Sequence, residues 1–157
     1  MPAPTLYDWI GGIETLERLT AEFYRRVQQD AELAPIFADM NPDHPAHVAA
    51  FIAEVFGGPK TYSEQHGGHP EMVRHHLNRH LTETQRRRRI SLLLDCYGQS
   101  DAPQDPEFAS APVGYLEWGS RLAVINAQPG AKVNPHAEMP RWGWGETGGP
   151  YIPKGTK

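Results

Sequence analysis

Apolar side chains recur at spacings of three and four along most of the chain. Ile13, Leu16, Leu19, Phe23 and Val27 line up in this way and predict an amphipathic helix over residues 13–29, with the Gly11–Gly12 pair marking a turn before it. Residues 30–40, DAELAPIFADM, predict a short helix interrupted at Pro35. Val48 and Phe51 carry the buried stripe of the next helix. It opens near Asp43 or His44, takes Pro45 into its first turn and stops at Gly57–Gly58. The stretch GGPKTYSEQHGG reads as a loop from its Gly, Pro, Ser and Thr content. A further helix starts near Pro70 and is expected to end around Asn78, because Thr82 opens a new one. There TETQ matches a capping box, with Thr82 as the cap and Gln85 three residues on. That helix runs to about Tyr97. The last begins at Asp105–Pro106, takes in Pro112, where a kink is expected, and ends before Pro129. No strand alternation stands out, so the fold class is all-α. From Pro129 to Lys157 the helical period is lost. Trp142, Trp144 and Tyr151 predict that part of this segment docks on the helical body, since it would otherwise expose large apolar area.

Composition narrows the class. The 157 residues suit one domain, and 39% apolar with 22% charged residues fits a soluble globular chain. A net charge of −4 provides no basic field for nucleic acid. No apolar run is long enough to span a bilayer, so no membrane partner is expected. The N-terminal MPAPTLYDWIGG has no basic region followed by an apolar stretch, so no secretory signal is expected. Cys96 is the single cysteine, which excludes an internal disulfide and any multi-cysteine metal centre. A reducing compartment, the cytoplasm, is the natural setting. Within ISLLLDCY, Cys96 is expected to be a buried, inert thiol. The run Arg86–Arg89 reads as a solvated helix face.

The histidines carry the candidate chemistry. Four of the eight lie in HPEMVRHHLNRH, residues 69–80. His69 falls at or before the helix start, and His80 falls in the connection beyond its end. His75 is rotated about 100° from its neighbour, toward the polar side. His76 shares the apolar stripe with Met72, Val73 and Leu77. An inward histidine needs a partner. Either a backbone carbonyl bonds its neutral ring, or the ring is an axial metal ligand in an apolar cavity. No HExxH is present, and the expected helix break separates His76 from His80, which argues against a zinc hydrolase. Tyr24, beside Phe23, is either core packing or a hydroxyl donor near a metal site. His44 and His47, three apart, read on their own as a solvated pair at a helix start.

LYDWIGG at 6–12, FYRRV at 23–27, FIAEVFGGPKTYSEQ at 51–65 and GHPEMVRHH at 68–76, in this order and spacing, resemble the truncated haemoglobins of the second group. The resemblance runs over residues 5–128, and YLEWGSRLAVIN near the last helix adds to it. It implies a two-over-two helical sandwich around haem b, with residues 1–128 as the globin domain and 129–157 as an extension. The proximal ligand to iron falls on His76, whose other ring nitrogen would donate to a backbone carbonyl. The distal hydrogen-bond donor falls on Tyr24, and the aromatic packed on the porphyrin falls on Phe37. His44, Val48 and Phe51 occupy the distal helix, with His44 above the ligand position and His47 near the pocket edge. Met72 and Leu81 would wall the proximal side. Lys60, Tyr62, His75 and Arg79 are the candidates to meet the propionates.

The implied function is reversible binding of dioxygen, carbon monoxide or nitric oxide by a monomer or homodimer. The alternative is nitric oxide dioxygenase or peroxidase-like turnover, which needs a reductase. Two departures stand out. The group's tryptophan in the helix after the proximal histidine is replaced by Arg89, which either turns inward to a propionate or ligand or turns outward and leaves an open site. His44 stands where the group often has a small residue, and it could donate to the ligand or coordinate the iron.

Overall fold

The computed structural model describes residues 2–76 and 81–150. Helix α1, Leu6–Ile10, is too short to announce itself by period. Thr5 caps it, its hydroxyl accepting from the Asp8 N–H at 3.0 Å, and Gly11 ends it at φ 103°. Leu6 and Ile10 anchor its inner side. Helix α2, Ile13–Val27, follows the expected stripe. Residues 30–40 form a 3-10 turn at Ala34–Phe37 instead of an interrupted α-helix. Pro35 sits in its first turn, where a missing N–H is harmless. Helix α3 spans His44–Val55.

The stretch expected to be a loop folds into a short helix, α4, Thr61–Gln65. Its stabilisation is tertiary. Tyr62 is buried, and the Glu54 carboxylate of α3 accepts from the Ser63 N–H at 2.9 Å and from the Ser63 hydroxyl. A charged acceptor from another helix thus holds a turn whose own composition favours loop. Helix α5 spans Gly68–His76, starting two residues before Pro70. The expected helix end near Asn78 and the placement of His80 lie outside the described residues.

Helix α6, Glu83–Gly98, opens on the capping box. The Gln85 N–H donates to the Thr82 hydroxyl at 3.1 Å, and the Thr82 N–H donates to Gln85 Oε1 at 3.0 Å. Thr82→Ala is expected to lower the unfolding free energy by about 1 kcal/mol, and Thr82→Ser to leave it nearly unchanged. Urea titration followed by circular dichroism checks both. Helix α7, Pro106–Asn126, begins under an Asp105 cap that accepts from the Phe108 N–H at 3.2 Å, and it runs on through Pro112.

Helix α2 packs on α3 and on α6, and α6 packs on α7. Two helices thus lie over two, and the described residues contain no strand. One core gathers Leu6, Leu16, Ala49, Val55 and Phe108. The other gathers Phe23, Tyr24, Val27, Leu33, Leu92 and Cys96 between α2 and α6. Burial pushes the Cys96 thiol up from its ordinary value, which keeps it protonated and unreactive. No described helix is long and apolar enough to cross a membrane.

The C-terminal segment packs back on the helices. The Trp142 indole donates to the Ala111 carbonyl at 3.0 Å, and its backbone N–H donates to the Val55 carbonyl at 2.9 Å. The Trp144 indole donates to the Pro4 carbonyl at 2.7 Å, and its ring meets that of Trp9 edge-on at 6.0 Å. Both indoles bury apolar area with the polar N–H satisfied. Tyr151 lies outside the described residues.

Candidate functional site

The inner stripe of α2 carries Tyr24 into the second core, where it is 2% exposed. Its hydroxyl lies 3.1 Å from His44 Nε2 at the start of α3, with the two rings edge-on at 4.9 Å. Phe37, from the 3-10 turn, meets the Tyr24 ring edge-on at 5.5 Å, and Phe23 does so at 4.8 Å. Burial pushes the Tyr24 phenol up, against the nearby Arg89 guanidinium, which favours the phenolate. The hydroxyl therefore stays protonated at neutral pH and can donate.

Tyr24 and His44 both line a cavity of about 640 Å³. Ile36, Phe37, Met40, Val48, Met72 and Leu81 form its apolar walls, and His44, His47, Gln65 and His66 supply polar groups. The His47 and His66 rings lie 4.2 Å apart. A second, smaller cavity of about 120 Å³ is lined by Phe51, Ile52, His69, Val73, Leu93 and Trp118, among others. Tyr24, Val48, Met72 and Arg89 border both. The larger cavity has the size typical of sites that take an organic cofactor, about 300–1,000 Å³, and its wall combines apolar with polar side chains.

Tyr24, Phe37, His44, His47, Val48, Tyr62, Met72 and Leu81 all border the larger cavity. Phe51 borders the smaller one. His44 and His47, read from sequence as a solvated pair, are half-buried, because the first turn of α3 faces the cavity rather than bulk water. Lys60 precedes α4 as its cap residue, is exposed and borders neither cavity. The side chains of His75 and His76, and Arg79 as a whole, lie outside the described residues. The backbone of α5 does carry His76 four residues beyond Met72, on the helix face that borders the cavity. Among the described residues no group of three His, Cys, Asp or Glu side chains could hold a metal ion by itself.

Some cavity residues were not legible in the sequence. His66 and Gln65 reach the wall because α4 forms, and that stretch reads locally as loop. His69 lies in the first turn of α5, stacked on Phe51 with the ring centroids 6.5 Å apart. Its Nδ1 is buried without a hydrogen-bond partner, and desolvation lowers its pKa, which favours the neutral ring.

The arginine run corrects the expectation of a solvated face. Arg87 and Arg88 are exposed, but Arg86 is 5% exposed and Arg89 lines both cavities. Three residues apart, Arg86 and Arg89 share the inner face of α6. Arg86 tolerates burial because Glu83 meets it at 2.6 Å, Glu117 at 3.6 Å and the Ser120 hydroxyl at 3.2 Å. Arg89 takes the inward of its two expected orientations.

Comparison with known proteins bears on this cavity. A family model described as bacterial-like globin matches residues 5–114. The group 1 truncated haemoglobin GlbN of Nostoc commune is 44% identical over 68 residues, covering 42% of this chain and 53% of that protein. The group 2 truncated haemoglobin YjbI of Bacillus subtilis is 36% identical over 66 residues, covering 42% and 49%. The chain thus spans about half the length of the curated relatives it matches. Among solved structures, the haemoglobin of Chloroflexus aurantiacus superposes with a TM-score of 0.68 at 29% identity, over 76% of this chain and 97% of that one. The truncated oxygen-avid haemoglobin of Bacillus subtilis does so with a TM-score of 0.68 at 29% identity, over 77% and 99%.

Proposed function

Because this chain belongs to the bacterial-like globin family, we propose that its larger cavity holds haem b and that the protein binds diatomic ligands reversibly there. The cavity suits the group in volume and in its apolar walls from Phe37, Val48, Met72 and Leu81. When bound, haem supplies an iron with one position open to a ligand. In this reading His76 on α5 would bond the iron, and Phe37 would pack against the prosthetic group.

The observation that carries the reading is the buried Tyr24, whose hydroxyl lies 3.1 Å from His44 Nε2, both residues lining the cavity. Tyr24 donates its proton toward the bound ligand, and His44 positions the phenol. Phe23 and Phe37 confine the Tyr24 ring, so little rotamer freedom is lost on ligand binding.

Visible spectra of the reconstituted protein in ferric, ferrous and carbon monoxide-bound states test this. A Soret band that shifts between the three states is expected. Reconstituted protein without Soret absorption overturns the proposal. Tyr24→Phe keeps the ring and removes the donor, and dioxygen is expected to dissociate on the order of 10- to 100-fold faster, as for a lost hydrogen bond to a charged acceptor.

A further inference from the structure

We propose that His47 and His66 form a two-imidazole site for a divalent transition-metal ion of the zinc and copper class, at the outer rim of the larger cavity. It concerns a second metal, apart from the iron of the haem reading.

His47 lies on α3, and His66 caps the C-terminal end of α4. The formation of α4 is what brings the second ring to the first. The ring centroids lie 4.2 Å apart, with the planes tilted by 38°. Two imidazoles that ligate one ion at about 2.0–2.1 Å have centroids roughly 4.5–5.2 Å apart, for angles at the metal between a right angle and the tetrahedral one. The rings therefore need to part by only about 1 Å or less to admit an ion. Among the described residues no hydrogen bond or ion pair engages either imidazole, whereas the neighbouring His44 ring is held by Tyr24. Both rings are half-buried, so their nitrogens stand unclaimed at a rim that solvent reaches.

The charge outside the pair favours a cation. His47 and His66 also line an outer groove of about 320 Å³, whose wall includes Glu17 and Asp43 and no Lys or Arg. Both acidic residues are exposed, and among the described residues neither is ion-paired. The groove thus carries a negative potential that draws a cation toward the imidazoles. Imidazole nitrogen selects zinc, copper and nickel over magnesium and calcium, which prefer oxygen. Among the described residues no group of three His, Cys, Asp or Glu completes a cage. Water fills the remaining positions, so the ion is exchangeable rather than built in. Once bound it ties the end of α4 to α3, adding to the hold of Glu54 on Ser63. An ion that binds only the folded chain stabilises it.

The test uses the full chain loaded with haem and titrated with zinc chloride in a calorimeter. Zinc is redox-inert, so the iron keeps its oxidation state. A single zinc ion per chain is expected to bind, and magnesium is expected not to. His47→Gln and His66→Gln are each expected to weaken zinc binding by more than the roughly 10- to 100-fold lost when a residue that merely orients a ligand is removed. The double variant is expected to bind little more weakly than either single one, since one lost ligand already opens a shared site. Zinc is expected to raise the melting temperature of the wild type and not that of either variant. His136→Ala, changed at an exposed histidine of the C-terminal segment, is expected to bind as the wild type does. Zinc affinity unchanged in His66→Gln overturns the proposal. So do losses that simply add in the double variant, which mark two separate surface sites, and a loss in His136→Ala equal to that in His66→Gln. If His47→Gln does not fold, His66→Gln and His136→Ala decide alone. A wild type that binds no zinc overturns the proposal whether or not it shows a Soret band.

Discussion

His76→Ala is expected to yield a folded protein that purifies and reconstitutes without a Soret band. In the proposed reading this residue is the one covalent tie between chain and iron, so its loss removes more binding free energy than any change in the cavity walls. The helix register of α5 points to it. The spacing of Met72, Val73 and His76 sets the histidine on the apolar stripe, and α5 carries Met72 to the wall of the larger cavity with His76 one turn on. His75, about 100° around the helix, provides the control. His75→Ala is expected to retain the band. Added imidazole is expected to restore absorption to His76→Ala, since it replaces the missing ring without the backbone. Equal haem retention in wild type and His76→Ala, measured by absorbance per protein after gel filtration, would move the axial role elsewhere. Because a bound group stabilises only the folded state, the haem-dependent part of the melting temperature is expected to vanish with the band.

Phe108→Ala is expected to lower stability by about 3–5 kcal/mol, through lost transfer free energy and an unfilled cavity. For a chain of this length that corresponds to a melting temperature lower by roughly 10 °C. The ring is 0% exposed, at the start of α7, and lies between Tyr97 and Trp144 with centroids 6.1 Å from each. It joins the helical body to the returning C-terminal segment, so its loss loosens both. Ile125, 63% exposed on the same helix, is the comparison, and Ile125→Ala is expected to change stability by about 0.5 kcal/mol or less. Thermal melts followed by circular dichroism separate the two. Similar melting temperatures for wild type and Phe108→Ala would mean that the core around α7 closes over the gap.

The haem proposal and the stability of the fold are separable in these experiments. His76→Ala addresses the cavity. Phe108→Ala addresses the first core, whereas Tyr24 belongs to the second. A protein that loses haem in the first case and melts early in the second behaves as two layers of helices with a cavity set beside one of its two cores.

Much of the fold was legible in the chain. The stripe through Leu16, Phe23 and Val27, the capping box at Thr82 and Gln85, and the Asp105–Pro106 start are local patterns, and each appears in the structure where the spacing put it. Local signals suffice there because the helix period and the cap hydrogen bonds involve residues within about four positions of one another. Helix α1 was not legible, because five residues are too few to display a period. Helix α4 was not legible because Glu54, nine residues earlier and on another helix, supplies the acceptors that hold Ser63.

The residues around the cavity divide along the same line. The sequence alone determined an all-α fold class and, through its motifs, the resemblance to truncated haemoglobins. Only the tertiary structure decided which polar side chains meet. It brought His44 to the Tyr24 hydroxyl, set His66 against His47 and turned Arg89 inward from a run that reads as solvated. The physical reason is range. A helix period records which face is apolar, but the partner that makes a buried charge or hydroxyl tolerable stands on another helix, and no local pattern records it.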